Sequence, residues 1–295
     1  MILVDFNQTA ISTFMAETRG RTDIEVNVPL LRHMIINAIR SYKKKFGNEY
    51  GEIVIACDNR YYWRRTVYPY YKAARKKARE DSGYDWHSIF EALHAIRQEL
   101  DEYFPYPVID VEGAEADDVI GTLAEYSQTQ GETVGLFDDV EPEPFLILSS
   151  DHDFRQLQKF SNVKQFSPMK KGWVKIDCSP EQILMEHIIK GDKGDGIPNI
   201  LSADDTFVEG KRQKPIRKVL LDEWKSKQPD VWVTGDMAAN YNRNSELVDL
   251  AKTPDEIKQN IINSYEKQQG QDKSQLLSYF IKYRMKNMID VVEDF

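Results

Sequence analysis

A chain of 295 residues, 41% hydrophobic and 29% charged, can bury one large core or two smaller ones, which excludes a disordered chain or a membrane protein. Two cysteines, Cys57 and Cys178, are too few for a disulfide framework and fit a reducing cytoplasm. The net charge of -9 excludes a uniformly basic nucleic-acid binder, but acidic groups gathered around cations would leave basic surface elsewhere.

No stretch reads as a membrane span, and Asp5 comes too early for a signal peptide. Ile2-Leu3-Val4 reads as a short apolar strand ending in Asp5. From Pro29, the residues Leu31, Met34, Ile35, Ala38 and Ile39 recur at helical spacing and predict an amphipathic helix over 29–46, with a turn at Gly47 to Gly51. Ile53 to Cys57 is a second buried strand, ending in Asp58. Strand, helix, strand implies parallel pairing through a right-handed crossover.

Residues 60–79 carry Arg60, Arg64, Arg65, Lys72, Arg75, Lys76, Lys77 and Arg79, with no Asp or Glu. Six aromatic residues, Tyr61, Tyr62, Trp63, Tyr68, Tyr70 and Tyr71, are interleaved with them. Such a segment in an acidic protein points to nucleic acid, with cations on phosphates and rings on splayed bases. The plainer alternative is a solvated helix with its aromatics folded inward.

Trp86 to Leu100 predicts another amphipathic helix, which Pro105 and Pro107 end before a strand at Val108-Ile109. Glu115-Ala116-Asp117-Asp118 opens a helix to about Gln130. Acidic residues complement the dipole of a first helical turn, but Glu115 and Asp118 also share a face. Residues 138–144 read as an exposed loop. Phe145 to Leu148 is a buried strand, and it delivers Asp151 and Asp153 just beyond its end. One of the two aspartates would serve as a helix cap; two call for another role.

A short helix over about 154–159 and a hairpin of Val163 to Phe166 with Trp173 to Ile176 follow. Ser179-Pro180-Glu181-Gln182 starts a helix to about Lys190, and Lys190 to Pro198 is a Gly-rich turn holding Asp192 and Asp195. Residues 203–215 read as a polar loop, and 216–228, 236–250 and 255–267 as helices. Leu277, Phe280, Ile281, Arg284, Met285, Met288 and Val292 form a terminal helical stripe, which would pack on the body or bind a partner.

The pattern predicts an α/β fold with a mostly parallel central sheet and a helical C-terminal region. Such a sheet gathers Asp5, Asp58, Glu115, Asp117, Asp118, Asp151, Asp153, Asp192 and Asp195 at one edge. So many carboxylates need cations to stay ionised together. Oxygen donors without His or Cys spacing suit Mg²⁺, with Mn²⁺ able to substitute. Two such ions about 4 Å apart serve in-line phosphoryl displacement. No phosphate-binding loop, dinucleotide fingerprint or nucleophile elbow is present. Acidic cluster and basic segment together point to a metal-dependent nuclease. The alternatives are a toxin-like single-strand ribonuclease and a non-catalytic nucleic-acid-binding scaffold.

The ordered set Val-Asp-Phe (4–6), Cys-Asp-Asn (57–59), Tyr-Trp-Arg-Arg (62–65), Glu-Ala-Asp-Asp (115–118), Ser-Ser-Asp-His-Asp-Phe (149–154) and Lys-Gly-Asp-Lys-Gly-Asp (190–195) resembles the 5′ nuclease, or flap endonuclease, family, especially its branch in T-even-type bacteriophages. The resemblance implies a PIN-like nuclease domain over 1–178, a basic arch at about 60–85 and a helical DNA-binding region over 179–295. It implies 5′→3′ exonuclease, flap endonuclease and ribonuclease H activities on flapped, branched or nicked DNA and RNA–DNA duplexes. The setting would be primer removal from lagging-strand fragments in the cytoplasm of an infected bacterium. A monomer working with a phage single-stranded-DNA-binding protein and a sliding clamp is implied too.

By the same resemblance, Asp5, Asp58, Glu115, Asp118 and Asp151 would serve a first ion, with Asp151 central to catalysis. Asp153, Asp192 and Asp195 would serve a second, and Asp117 matches a position acidic in many relatives. Arg64 and Lys72 would steer the scissile phosphate from the base of the arch. Arg60, Arg65, Arg75, Lys76, Lys77 and Arg79 would hold nucleic acid. The helix–hairpin–helix that grips duplex is degenerate, because Gly196-Ile197-Pro198 leads into Asn199-Ile200-Leu201 and a polar loop.

Overall fold

The computed structural model describes residues 1–134 and 139–295. Its centre is a sheet of short strands, most of them apolar and wholly buried. These are β1 (Ile2–Asp5), β2 (Ile53–Ala56), β3 (Val108–Ile109), β6 (Phe145–Leu148) and β7 (Val163–Ser167). All five run parallel, and β8 (Gly172–Trp173) adds an antiparallel edge, giving the order β3-β2-β1-β6-β7-β8. Strands covered on both faces have no reason to alternate apolar with polar residues.

The chain steps outward from β1 to β3 on one side, then returns to place β6 on the other side of β1. The switch point therefore lies between β1 and β6, where open sheets form their crevice. Register aligns the strand ends there: Asp5 pairs with Ala56, and Val4 with Leu148.

Alternate side chains feed two cores. Ile2, Val4, Ile53, Ile55, Leu146 and Leu148 face α1 (Phe6–Thr18), α2 (Val28–Tyr50) and, beyond the basic helices α3 (Arg64–Val67) and α4 (Ala73–Asp81), α5 (Trp86–Tyr103). Leu3, Val54, Ile109, Phe145 and Ile147 face α6 (Ala116–Tyr126). The C-terminal region holds α7 (Pro180–Lys190), α8 (Lys218–Lys225), α9 (Pro229–Trp232), α10 (Asp236–Val248), α11 (Asp255–Lys267), α12 (Leu276–Lys282) and α13 (Lys286–Ile289). Ile261 of α11 joins the second core, while Leu276, Tyr279, Phe280 and Phe295 join the first. Buried Arg32 meets Glu99 through two bonds of 2.6 and 2.8 Å, and the Tyr279 hydroxyl donates to Glu99 at 2.7 Å, tying α2, α5 and α12 together.

Several sequence expectations are revised. Helix α1 was not expected; it starts at the end of β1, with Asp5 as its cap accepting from the Gln8 N–H. Helix α2 continues through Gly47 to Tyr50, because Phe46 and Tyr50 still reach the core. Within the expected 138–144 loop, β5 (Asp139–Pro142) pairs antiparallel with β4 (Gly131–Val134); Asp138 lies outside the described residues. The terminal stripe breaks at Arg284, a residue at φ 55°, and leaves Leu277 and Ile281 exposed.

Candidate metal centre and nucleic-acid cleft

The sheet edge at the switch point opens into a cleft of about 1120 Å³. Eight of the nine expected carboxylates line it: Asp5, Asp58, Glu115, Asp117, Asp151, Asp153, Asp192 and Asp195. Strand ends bring Asp5, Asp58 and Asp151. The first turn of α6 brings Glu115 and Asp117, and the turn after α7 brings Asp192 and Asp195.

Several are held by nearby donors. Asp5 accepts from Gln8 N–H at 3.0 Å and from the Ser149 hydroxyl at 3.1 Å. Asp58 accepts from Asn7 at 2.6 Å and from Ala116 N–H at 2.8 Å. Gln165 donates to the carbonyls of Ser149 and Asp151, which fixes the loop leaving β6. The Asp153 N–H donates to Asp151 at 3.0 Å, and the Asp195 N–H to Asp192 at 3.0 Å.

Asp118 is the exception. It is wholly buried and does not reach the cleft. Its oxygens accept from Arg64, the Glu115 N–H, Trp63 and the Thr253 hydroxyl, at 2.8, 2.8, 3.2 and 2.8 Å. The spacing that lets Asp118 reach back to the Glu115 N–H turns it inward, and the preceding helical position, Asp117, faces the cleft instead. Asp118, expected with Asp117 among the ion-binding acids, therefore drops out of that set, while Asp117 stays in the cleft.

Arg64 is also corrected. Only 2% exposed, it donates to Glu115 at 3.0 Å, to Asp118 at 2.8 Å and to the Leu247 carbonyl at 2.8 Å. A guanidinium so enclosed cannot meet a phosphate. It holds α6 to α10 and fixes Glu115.

The other cations divide by access to the cleft. Arg60, Arg65, Lys72, Arg75 and Arg79 line it, and Lys76 and Lys77 do not. Lys72 Nζ lies 2.5 Å from Glu115 and 3.6 Å from Asp195, and Arg75 pairs with Asp195. The Tyr71 hydroxyl lies 3.0 Å from Glu115 and 2.9 Å from Asp195. Half of the six aromatics are core residues rather than stacking surfaces. Trp63, Tyr68 and Tyr71 are buried, and only Tyr61 and Tyr70 are well exposed. In the cleft, half-buried Tyr62 is joined by two rings of α5, Trp86 and Phe90, which lie 5.5 Å apart.

Crowding shows in the ionisation of the acids. Burial, reinforced by Asp58, pushes Asp5 up to about 7. Burial likewise raises Asp153 to about 7, with Asp151 adding to it and His187 opposing it. Burial and Asp151 push Asp117 well above the ordinary carboxylate range. Hydrogen bonding to His187 holds Asp192 down at about 2. Carboxylate oxygens that resist joint ionisation are the donor set that hard divalent ions neutralise, so the residues present fit such ions. Sequence periodicity gave no sign of His187. Its Nδ1 lies 3.4 Å from Asp153 and its Nε2 3.5 Å from Asp192.

Gly191 ends α7 at φ 65° and ψ -170°, and a Cβ there would overlap the carbonyl oxygens of Ile197 and Pro198. Gly191→Ala is expected to cost at least about 1–3 kcal/mol and to displace Asp192. Thermal unfolding checks this; an unchanged midpoint would mean the turn can open. Beyond this turn the chain follows the expected polar loop rather than a regular helix–hairpin–helix. Irregular chain runs to α8, pinned by Asn199 donating to the Lys214 carbonyl at 2.7 Å.

Residues 1–186 match the family model of the 5′-3′ exonuclease N-terminal resolvase-like domain, and residues 178–295 match that of the phage T4 RNase H C-terminal region. The chain is 35% identical to the ribonuclease H of Enterobacteria phage T4 over 99% of its own length and 95% of that protein. It is 27% identical over 235 residues to DNA polymerase I of Thermus thermophilus, covering 77% of this chain but 24% of that one. Crystal structures of the phage T5 flap endonuclease, one with metal ions and one with DNA and metal ions, superpose with TM-scores of 0.60 and 0.58. Each is 16% identical and covers 90% of this chain and 98% of its own, which shows a shared fold. Sheet order, the acid-lined cleft at the switch point and both family models agree that the chain belongs to the 5′-3′ exonuclease family.

Proposed function

We propose that this chain is a Mg²⁺-dependent 5′ nuclease that cuts flapped, branched or nicked DNA and RNA–DNA duplexes. The carrying observation is the convergence of eight carboxylates into one cleft rimmed by Arg60, Arg65, Arg75 and Arg79. Its setting would be primer removal during phage replication in the host cytoplasm, as a monomer beside a single-stranded-DNA-binding protein and a clamp. No helix among the described residues is long and apolar enough to cross a membrane. Residues 1–178 would carry most of the chemistry, completed by Asp192 and Asp195 from 179–295, the region that would make the duplex contacts.

Asp5, Asp58, Glu115, Asp117 and Asp151 would hold one ion, and Asp153, Asp192 and Asp195 a second. When bound, such ions supply Lewis acidity for activating water and neutralising phosphate charge. Arg75 and Arg79, one turn apart on the arch helix, would grip the phosphate backbone. Lys72 would set the phosphate beside Glu115, its charge favoured by Asp195 and Glu115 against the cost of burial. Phe90 and Trp86 would receive an unpaired base.

A labelled 5′-flap duplex and a nicked RNA–DNA duplex test the reading. Mg²⁺ should release short 5′ products from both, and EDTA should stop cleavage. Processing of free single-stranded RNA alone would overturn it.

A second test needs no substrate. In EDTA, Asp5 and Asp153 keep protons in the folded state that they release on unfolding between about pH 4 and 7. The folded state then binds more protons, so stability falls as pH rises through that window. The melting temperature should therefore drop by several degrees from pH 5 to pH 8, and added Mg²⁺ should restore it. A melting temperature that rises over this range and ignores Mg²⁺ would count against the ion site.

A further inference from the structure

The proposal concerns a residue outside the carboxylate set. Asp153, His187 and Asp192 each offer a donor atom, and these atoms lie within 4.8 Å of one another. His187 sits in the last turn of α7, where its carbonyl accepts the Gly191 N–H at 2.8 Å. Its side chain is 18% exposed and stands between two carboxylates that themselves line the cleft.

Each ring nitrogen faces a different aspartate, Nδ1 toward Asp153 at 3.4 Å and Nε2 toward Asp192 at 3.5 Å. Both separations exceed those of strong charge-assisted hydrogen bonds, roughly 2.7–2.9 Å. Neighbouring ligands around a six-coordinate ion with bonds of about 2.1 Å lie roughly 3 Å apart, close to these spacings. A metal-bound histidine ordinarily keeps its second nitrogen on a carboxylate, which fixes ring and tautomer. Here Oδ2 of Asp192 can fill that role.

We infer that His187 is a nitrogen ligand of the second cation site, with Nδ1 beside Asp153 on the ion and the Nε2 N–H kept on Oδ2 of Asp192, whose Oδ1 is left for the same ion. An imidazole in an otherwise all-oxygen site favours transition ions over Mg²⁺, which prefers oxygen and holds its water tightly. The site would thus discriminate between Mn²⁺ and Mg²⁺ through one side chain. This rests on the reading of the cleft as an ion-binding centre.

The full-length protein loaded with Mn²⁺ alone tests it by electron spin echo spectroscopy and titration calorimetry. The wild type should show nitrogen modulation from one imidazole, and His187→Asn and His187→Gln should lose it. Mn²⁺ affinity at that site should fall at least about 10–100-fold, the loss typical when a partner of a bound ligand is removed. Mg²⁺ affinity should fall less. Bound Mn²⁺ without nitrogen modulation overturns the role of His187 and leaves it a cation between two carboxylates. A protein that binds no Mn²⁺ overturns the reading of the cleft itself.

Discussion

Asp117→Asn is expected to lower the cleavage rate on a 5′-flap duplex on the order of a thousandfold, the scale of removing one preorganised charge from an active centre. Duplex affinity measured in Ca²⁺ or EDTA should change little, because the cations that face the backbone stay in place. Stability without divalent ions should rise, since Asp117 is pushed toward its neutral form by burial and by Asp151. Asp118→Asn should behave in the opposite way. Its carboxylate is wholly buried and balances Arg64, so the loss is one of folding, up to about 3–5 kcal/mol. Side by side, rate assays and melting curves separate adjacent residues of one helix turn. Equal effects of both substitutions on rate and stability would sink the assignment.

Arg64→Met should destabilise the fold by about 3–5 kcal/mol, because Glu115 and Asp118 would lose a shared buried cation. At roughly 2–4 °C per kcal/mol for a chain of this size, the melting temperature should fall by about 10 °C. The Leu247 carbonyl would lose its donor too, loosening α10 from α6. Arg75→Ala is the contrast. Its side chain is 47% exposed, so melting should hardly move while duplex binding weakens and its salt dependence becomes shallower. If Arg64→Met melted like the wild type yet bound duplex poorly, Arg64 would return to the phosphate-steering set.

Much of the fold was legible because its signals are local. Phe145-Leu146-Ile147-Leu148 is too short and too uniformly apolar to be anything but a doubly covered strand, and helix α5 announces itself by period alone. Strands β4 and β5 were not legible, since Gly131-Glu132-Thr133-Val134 and Asp139-Val140-Glu141-Pro142 carry weak strand propensity and pair with each other outside the main sheet. Helix α1 is not legible in the sequence because its polar start, Asn7-Gln8-Thr9, hides the spacing of Phe6, Ala10 and Phe14.

For the cleft, residue type and position in an element were enough to nominate the acids. Strands that run parallel must bring Asp5, Asp58 and Asp151 to the same edge, whatever else the chain does. Direction and depth were a different matter. Whether Asp117 or Asp118 faces the ions depends on a hydrogen bond to the Glu115 N–H and on Arg64, Trp63 and Thr253, which arrive from other parts of the chain. The placement of Arg64 inside and Arg75 outside, and of His187 between Asp153 and Asp192, likewise follows from packing across long sequence separations. Periodicity reports which face of its own element a side chain occupies; only the packed tertiary structure decides what that face meets.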